Sequence, residues 1–145
     1  MVTAFDVDAN KLIGSAADKL KGMNLKVPAY LPYVKSGSDK QRRPDQKDFW
    51  YIRCASILRQ AYIRGKIGVS SLRTHYGGRI KRGAAPEHHR KTGGSIIRDA
   101  FQELEKVGLL EKRKDGRHIS SKGQSFLDNV AKEVSVAKEI STKGS

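Results

Sequence analysis

The chain has 145 residues, and its 29 Lys and Arg against 15 Asp and Glu give a formal net charge of +14. This length suits one ordinary domain, and no apolar run approaches the roughly 18 residues of a membrane span. The single cysteine, Cys54, excludes an intramolecular disulfide and a cysteine-based zinc cluster, while Asp6 and Asp8 argue against a secretory signal or transit peptide. We expect a soluble intracellular protein with a polyanionic partner, because so basic a domain repels itself unless a polyanion neutralises it.

The first predicted element is an amphipathic helix at residues 5–20. Apolar side chains from Phe5 to Leu20 recur at helical spacing, an aspartate near the start favours the helix dipole, and Gly22 follows as a stop signal. Residues 27–34 contain two prolines, which favour an extended, packed connector over a helix interior.

The two tyrosines of that connector, Tyr30 and Tyr33, could pack against the core or meet a partner, and core packing is the favoured interpretation. The next segment, residues 35–47, is polar and contains both glycine and proline. This composition predicts a loop that leads into the central part of the chain.

The clearest helix signal covers residues 48–64, where Asp48 is a favourable N-cap. A wide apolar arc on the helical wheel indicates a helix that packs on several neighbours and is central to the fold. That arc contains Trp50, Tyr51, Cys54, Ala55, Ile57, Leu58, Ala61 and Tyr62. The opposite side contains Arg53, Ser56, Gln60 and Arg64. Because Cys54 lies within the arc, we predict a buried small side chain rather than a nucleophile.

A short helix at residues 69–76, with Ser70 as its cap, precedes a glycine-punctuated basic loop at residues 77–94. Glycines allow the backbone to approach a phosphate and leave neighbouring amides free to donate. The loop is not a P-loop, because the required Gly-Lys-Ser/Thr ending is absent. Loops of this length are uncommon unless they are functional, and the composition of this one favours a function.

Three further elements follow the basic loop. Residues 95–107 are predicted to form a helix capped by Ser95, and residues 109–120 a β-hairpin whose turn is Asp115-Gly116. A last amphipathic helix is predicted at residues 121–134, and its end is expected to fray into a polar tail.

This order of elements predicts a mainly α fold with a winged-helix core and one small β-hairpin wing. The chain is interpreted as a single domain, 1–145, whose core spans about 48–120. Extra N- and C-terminal helices pack around that core, and a flexible tail is expected at about 137–145. Winged helices bind nucleic acid and also protein, so the fold alone does not decide the function.

Most of the excess charge lies in residues 53–91, which contain ten basic residues and one acidic residue, Glu87. Seven of the ten are arginines, whose planar guanidinium groups bind phosphate in a bidentate way and stack on bases. The outer face of the third core helix instead carries Asp99, Glu103 and Glu105, which argues against insertion into a DNA major groove. We therefore expect an irregular RNA surface recognised by shape and backbone. A winged-helix DNA-binding regulator is the alternative.

The candidate phosphate contacts are cations of this basic stretch, of the third core helix and of the wing tip. They are Arg53, Arg59, Arg64, Lys66, Arg73, Arg79, Lys81, Arg82, Arg90, Lys91, Arg98, Lys114 and Arg117. The glycine-rich loop is expected to enter a groove or junction of the RNA, and the wing tip to add a second contact. For Arg59, a structural ion pair at the edge of the buried arc is an equally open interpretation.

Enzymatic, metal-binding and membrane functions have little support in the sequence. The histidines include the pair His88-His89, but adjacent residues rarely converge on one ion, and no Asp, Glu or Cys cluster accompanies them. No paired carboxylates indicate acid/base catalysis, and no stretch has the bulky apolar face of a membrane-surface helix. We expect no enzyme activity, no cofactor, no metal, no small-molecule substrate and no membrane partner.

Several segments of the chain resemble one known family, in the family's own order. They are Lys26-Val27-Pro28, Trp50-Tyr51-Ile52-Arg53-Cys54-Ala55-Ser56, Leu58-Arg59-Gln60-Ala61-Tyr62-Ile63-Arg64-Gly65, Tyr76-Gly77-Gly78-Arg79, Ser95-Ile96-Ile97-Arg98, Gln102-Glu103-Leu104-Glu105, Asp115-Gly116-Arg117 and Gly123-Gln124. Over about residues 3–135, the chain is similar to the eukaryotic and archaeal small-subunit ribosomal protein family nineteen. No single motif is decisive, whereas their ordered sum is highly specific.

That resemblance implies a structural protein of the small ribosomal subunit with a mostly helical, winged-helix fold. It implies binding to ribosomal RNA in the head of the subunit beside neighbouring ribosomal proteins, a requirement in subunit maturation, and no catalytic activity or cofactor. Arg59 and Arg98 match positions of the family's basic surface, and Tyr76 to Arg79 match its basic loop. The protein would then reside on cytoplasmic ribosomes and, in a eukaryote, in the nucleolus during assembly.

Overall fold

Five α-helices, one 3-10 turn and two small antiparallel sheets form the described part of the chain in a computed structural model. The structure describes residues 2–23 and 25–144, and the side chain of Arg82 lies outside the description. In chain order the elements are α1 (Ala9–Lys21), the 3-10 turn η1 (Leu31–Tyr33), α2 (Phe49–Arg64), β1 (Lys66–Ile67), α3 (Val69–Tyr76), β2 (Gly78–Arg82), β3 (Ala85–Arg90), α4 (Gly94–Val107), β4 (Leu110–Arg113), β5 (Gly116–Ile119) and α5 (Ser121–Lys143).

The winged-helix core consists of α2, α3 and α4 with a three-stranded sheet in the order β1-β5-β4. Strand β1 lies between α2 and α3 along the chain and pairs antiparallel with β5, where Ile67 is opposite Arg117. Strands β4 and β5 form the predicted wing hairpin. The mainly α winged-helix prediction is confirmed, and β1 is an addition to it. A two-residue strand between glycines has too little periodicity to be detected from sequence.

Helix α2 is the centre of the core, as its wide apolar arc predicts. The largest fully buried side chains are Trp50, Phe101, Leu12, Leu20, Ile57, Leu58, Ile67, Leu72, Ile97, Leu104, Leu109 and Leu127. Cys54 is also fully buried, and burial raises the pKa of its thiol far above the ordinary value, which suits an inert core residue. The predicted polar side of α2 is wrong at Gln60, which is only 9% exposed because neighbouring elements surround the helix.

Glycines with positive φ end the two long helices of the core. Gly65, with φ 78°, follows α2, and Gly108, with φ 84°, follows α4. Such angles are accessible to glycine at little cost. The predicted serine caps are wrong, because the backbone is already helical before each serine. Ser70 and Ser95 lie in the first turns of α3 and α4, and the residue before each helix is a glycine.

Helix α1 begins four residues later than predicted, because the residues before it form a separate turn. The Thr3 N–H donates to the Asp6 carboxylate at 2.8 Å, and local bonds of this kind compete with helix formation. Phe5 is consequently 63% exposed rather than directed inward, and its ring centroid lies 5.3 Å from that of Tyr62. The predicted glycine stop at the end of α1 is confirmed.

The proline-containing connector contains the 3-10 turn η1 instead of being extended throughout. Tyr30 packs partly against the core, and its hydroxyl donates to the Asp99 carboxylate of α4. Tyr33 is 80% exposed, so the expectation of core packing is wrong for this residue, because Tyr30 and Leu31 already cover the core at this point. Residues 35–47, all of them described, form the predicted loop without a helix or strand.

The segment predicted to be a basic loop, residues 77–94, is mostly a β-hairpin, so the loop assignment is wrong. Strands β2 and β3 pair antiparallel, with a bulge between Ile80 and Arg82. The turn consists of Gly83-Ala84, and Gly83 has φ 68°. Every residue of β3 after Ala85 is exposed, so this strand lacks the alternation that reveals a half-buried strand, and in β2 the alternation covers only Gly78 to Lys81. A glycine at the first turn position is the one signal that could have indicated the hairpin.

The C-terminal elements differ from prediction by position rather than by type. The wing turn is Lys114-Asp115, one residue earlier than predicted. Helix α5 starts as expected, with the Ser120 hydroxyl accepting from the Gly123 N–H at 3.1 Å, and it continues through Lys143. The flexibility of residues 137–145 remains a prediction, and the last residue lies outside the description.

Candidate nucleic-acid interface

The β2-β3 hairpin, called the basic hairpin below, is anchored at its base by the loop that precedes α2. Gly37 forms a β-bridge with Thr92, whose hydroxyl donates to the Ser36 carbonyl at 2.6 Å. The Gly93 N–H donates to the same carbonyl at 2.9 Å. From the other side, the Thr92 N–H donates to the Arg73 carbonyl at 3.0 Å, and Arg73 Nε donates to the Thr92 carbonyl at 2.9 Å. These bonds give the hairpin a defined orientation relative to α3 and α4.

A buried carboxylate packs against the first strand of the basic hairpin. The Asp39 side chain is 2% exposed, and a Cβ placed on Gly78 would lie 2.6 Å from its Oδ2. Burial raises the pKa of Asp39, but the Lys40 ammonium at 2.8 Å and the residue's own backbone N–H outweigh that effect and hold the pKa below its ordinary value. The strand can approach this carboxylate because position 78 has no side chain.

The basic hairpin presents its cations to solvent. Arg79, Lys81 and Arg90 in the strands are all exposed, and so is Lys91, which directly follows β3 and is counted with the hairpin below. Arg79 Nε lies 2.7 Å from Glu87 Oε2, but its side chain is 74% exposed, and such surface pairs contribute little to stability. In the described part of the chain, no acidic side chain lies within 4.0 Å of Lys81, Arg90 or Lys91. These positive charges are therefore available to a partner.

A second group of candidate residues lies where α2 meets α3. Arg64 Nη2 is 3.1 Å from His75 Nδ1. Burial, and then the positive charges of Arg64, Arg53 and Arg59, lower the pKa of His75. Arg53 is half-buried over the Tyr76 ring, 4.0 Å from its centroid, and burial lowers the pKa of its guanidinium. Arg59 has a buried Nε without a hydrogen-bond partner, and no described acid lies within 4.0 Å of it, which does not support the ion-pair interpretation.

The start of α4 continues the basic surface from the hairpin base. Arg98 is exposed there, and its Nε lies 3.3 Å from the Gly94 carbonyl. Arg73 packs beside the same glycine, because a Cβ on Gly94 would lie 3.4 Å from Arg73 Cδ. Since Arg73 also hydrogen-bonds Thr92, the hairpin base, α3 and the first turn of α4 form one connected basic surface.

The cations of the wing and of its neighbouring strand differ in how far they are exposed to solvent. Lys114 at the tip is exposed, and Lys66 on the neighbouring strand lies 3.9 Å from the carboxylate of the turn aspartate. Arg117 faces inward: its Nε lies 3.0 Å from Glu105 Oε1, its guanidinium is 5.0 Å from the Phe101 ring centroid, and its side chain is 23% exposed. Lys66 and Lys114 are therefore exposed on the sheet and at the wing tip, whereas Arg117 joins the wing to α4.

The outer face of α4 is covered by the segment that precedes η1. Glu103 accepts from the Lys26 N–H at 3.0 Å and from Lys106 Nζ at 3.1 Å, while Asp99 accepts from the Tyr30 hydroxyl. Glu103 is only 8% exposed, so its predicted place on an open face is wrong. Burial raises the pKa of Glu103, but its bonds to Lys26 and Lys106 hold that pKa below the ordinary value. This face of α4 is therefore partly covered, whereas Gln102 and Lys106 remain exposed.

Within 2–23 and 25–144, no three His, Cys, Asp or Glu side chains come together in an arrangement that could hold a metal ion. In those same ranges, no helix is both long enough and apolar enough to cross a bilayer.

The family profile described as ribosomal protein S19e matches residues 3–137. This chain belongs to the ribosomal protein S19e family. The small ribosomal subunit protein eS19 of Aeropyrum pernix is 47% identical over 138 residues, which cover 92% of this chain and 90% of the relative. Small ribosomal subunit protein eS19A of Schizosaccharomyces pombe is 42% identical over 132 residues, covering 90% and 92%.

Membership of the S19e family confirms the resemblance that the sequence motifs indicated, over nearly the same residues. It also confirms that the protein is of the ribosomal class and is not an enzyme, because the matched family and relatives are ribosomal proteins. The buried Asp39 carboxylate beside the basic hairpin was not predicted. A lone aspartate in a loop has no periodic pattern that distinguishes a buried residue from an exposed one.

Proposed function

We propose that this S19e chain is a structural constituent of the small ribosomal subunit that binds ribosomal RNA through the basic hairpin and the connected basic surface. The observation that carries the proposal is the set of exposed hairpin cations, Lys81, Arg90 and Lys91, which have no acid within 4.0 Å among the described residues. Hydrogen bonds of Thr92 to Ser36 and Arg73 fix the base of this hairpin. A partner that binds a preorganised element loses less conformational entropy.

The thirteen candidate cations are proposed to have two roles. Those proposed to contact phosphates directly are the exposed ones: Arg64, Lys66, Arg73, Arg79, Lys81, Arg90, Lys91, Arg98 and Lys114. Arg82 is included with them because it is the last residue of β2. Arg53, Arg59 and Arg117 are half-buried, and we assign them a supporting role. They add positive potential and hold the elements together, as Arg117 does through Glu105.

RNA is favoured over duplex DNA as the partner by the location of the cations. A DNA regulator of this fold would insert its third core helix into the major groove, but here the residues before η1 occupy that face through Glu103 and Asp99. The exposed cations lie instead on a hairpin, on helix ends and on the wing. Such a surface suits irregular RNA, which is recognised by shape and backbone contacts.

The cellular setting is part of the same proposal. The protein would contact RNA in the head of the subunit and neighbouring ribosomal proteins, and its loss would block subunit maturation. It would reside on cytoplasmic ribosomes and, in a eukaryote, in the nucleolus during assembly. In a sucrose gradient, the tagged protein should co-migrate with small subunits. Recovery only at the top of the gradient would contradict the proposal.

The salt dependence of binding to small-subunit ribosomal RNA tests the electrostatic contacts. If about six phosphates are neutralised, log K should fall against log salt with a slope of roughly −4, because each single-stranded phosphate contributes about 0.7. The double variant Lys81→Gln with Lys91→Gln should reduce that slope by about 1.4. The matched control, Lys138→Gln with Lys143→Gln, removes two exposed lysines at the far end of α5 and should leave the slope unchanged. A wild-type slope near zero would refute the proposal.

A further inference from the structure

One exposed aromatic side chain lies at the end of η1 and has no role in the core. Tyr33 is 80% exposed, the highest value among the exposed large hydrophobic side chains of the described residues. Within that part of the chain, its side chain has neither a hydrogen bond nor an aromatic partner. Its chain neighbours Pro32 and Val34 are exposed as well. A tyrosine in this state has its whole ring face available to a partner.

The backbone beneath Tyr33 is held by bonds from three parts of the chain. The Tyr33 N–H donates to the Tyr30 carbonyl at 3.0 Å, and the Tyr30 hydroxyl donates to Asp99 of α4. Arg43 Nη1 donates to the Pro32 carbonyl at 2.7 Å. Because the turn is already ordered, a ring mounted on it loses little conformational freedom when another ring stacks on it.

The loop that follows Tyr33 carries an excess of exposed positive charge. The exposed cations of this loop are Lys35, Arg42, Arg43 and Lys47. Of the two acids in the same loop, Asp39 is buried and paired with Lys40 at 2.8 Å, which leaves Asp45 as the exposed one. An exposed aromatic ring flanked by cations is the arrangement that binds unpaired nucleotides, because the ring stacks on a base while the cations hold the phosphates.

The tyrosine segment is also continuous with the basic surface described above. Val34 and Lys35 line a shallow groove together with Gly93 and Ser95 at the start of α4. The next residue, Ser36, accepts two hydrogen bonds from the base of the basic hairpin. This groove joins the base of the basic hairpin to the segment that carries Tyr33, so one RNA strand could contact both.

A second exposed aromatic residue provides a contrast on the same molecule. Phe5 is 63% exposed, but its ring lies 5.3 Å from that of Tyr62. Its neighbours Asp6 and Asp8 are exposed carboxylates, which would repel a phosphate backbone. Exposure alone therefore does not identify a nucleotide site. The segment of Tyr33 differs from that of Phe5 because exposed cations follow it in the chain.

We propose that Tyr33 is a stacking platform for one unpaired base of the RNA, with Arg43 and Lys35 as the nearest phosphate-binding cations. The site is separate from the basic hairpin, and it rests on the proposed function because it requires an RNA partner. Every base has a π-face, so the platform tolerates different bases and selects for an unpaired nucleotide rather than for a sequence.

Binding of the full-length protein to a transcript of its own small-subunit ribosomal RNA tests the platform. Tyr33→Ala should weaken binding about tenfold, and Tyr33→Phe should remain within about twofold, because a base stacks on the retained ring. Neither variant should change the salt slope, because no charge is removed. Phe5→Ala, the matched control, should bind like wild type. In the wild-type complex, ultraviolet cross-linking should join the peptide containing Tyr33 to an unpaired nucleotide.

The possible failures are distinguishable from one another. If Tyr33→Ala binds the transcript as tightly as Tyr33→Phe, the platform is refuted. The proposed function still stands in that case if the double variant at Lys81 and Lys91 lowers the salt slope. If Tyr33→Ala binds RNA normally but no longer co-sediments with small subunits, the platform is also refuted and the tyrosine contacts a protein instead. A wild-type protein that binds no transcript overturns both proposals. Thermal unfolding should be unchanged in the Tyr33 variants, because the side chain is exposed.

Discussion

A glycine-to-alanine substitution tests how closely the last helix approaches the wing. Gly123 is buried in the first turn of α5, and a Cβ placed there would lie 2.4 Å from the Leu109 carbonyl oxygen and 2.8 Å from Ile119 Cγ1. The closest obstacle is backbone, so the helix and the wing must separate. Overpacking of this kind costs about 1–3 kcal/mol, while alanine gains about 0.5–1 kcal/mol over glycine inside a helix. We expect Gly123→Ala to lose roughly 1–2 kcal/mol of unfolding free energy.

The matched control is the same substitution where space is open. A Cβ on Gly14, in the middle of α1, would have nothing within 4 Å. Gly14→Ala should therefore stabilise the protein by about 0.5–1 kcal/mol. Thermal unfolding followed by circular dichroism should show a Tm shift of about 2–4 °C per kcal/mol, downward for Gly123→Ala and upward for Gly14→Ala. Shifts of the same sign in both variants would refute the close approach of α5 to the wing.

Trp50→Ala should lower the free energy of unfolding, measured in urea, by about 3–5 kcal/mol because the indole is fully buried. Trp50→Phe should lower it much less, since the buried Nε1 has no hydrogen bond to lose. Equal losses in the two variants would contradict this packing. The pKa of Glu103 lies below its ordinary value of 4.5 in the folded chain, so the ionised carboxylate stabilises the fold above that pH, and the contribution is lost as the pH falls through the folded pKa. Thermal unfolding of wild type and Glu103→Gln should therefore differ at neutral pH and converge in acid, and a difference independent of pH would contradict the assignment. Arg117→Gln should lower Tm but leave the RNA salt slope nearly unchanged, because the guanidinium is already paired with Glu105; a slope reduced as much as by loss of an exposed lysine would place Arg117 among the phosphate contacts.

The elements that bury one face were predictable because burial imposes a period on the sequence. In α2, burial of Trp50, Cys54 and Leu58 produces the apolar arc of the helical wheel. The wing hairpin was predictable from the Asp115-Gly116 signal, although its turn lies one residue earlier, because Gly116 takes a positive φ of 141° at the first position of β5.

The basic hairpin was not predictable because its conformation depends on residues far away in the sequence. Thr92 is bonded to Ser36, 56 residues earlier, and to Arg73, 19 residues earlier. No local pattern encodes those contacts. The same holds for individual cations: composition places arginines in the middle of the chain, but only packing shows that Arg53 lies over an aromatic ring while Arg90 faces solvent.

The contacts of Lys26 and Tyr30 with α4, the third core helix, explain why the proposed RNA contacts lie on the hairpin rather than on that helix. Insertion of α4 into a groove would first break the bonds of Glu103 to Lys26 and of Asp99 to Tyr30. It would then bring both carboxylates against phosphates, where an unpaired buried charge is costly. Binding through the hairpin requires neither step, because its cations already face solvent on a base held by Thr92. The strands inserted between α3 and α4 therefore supply exposed cations of the proposed RNA-binding surface, which the partly covered face of α4 does not supply.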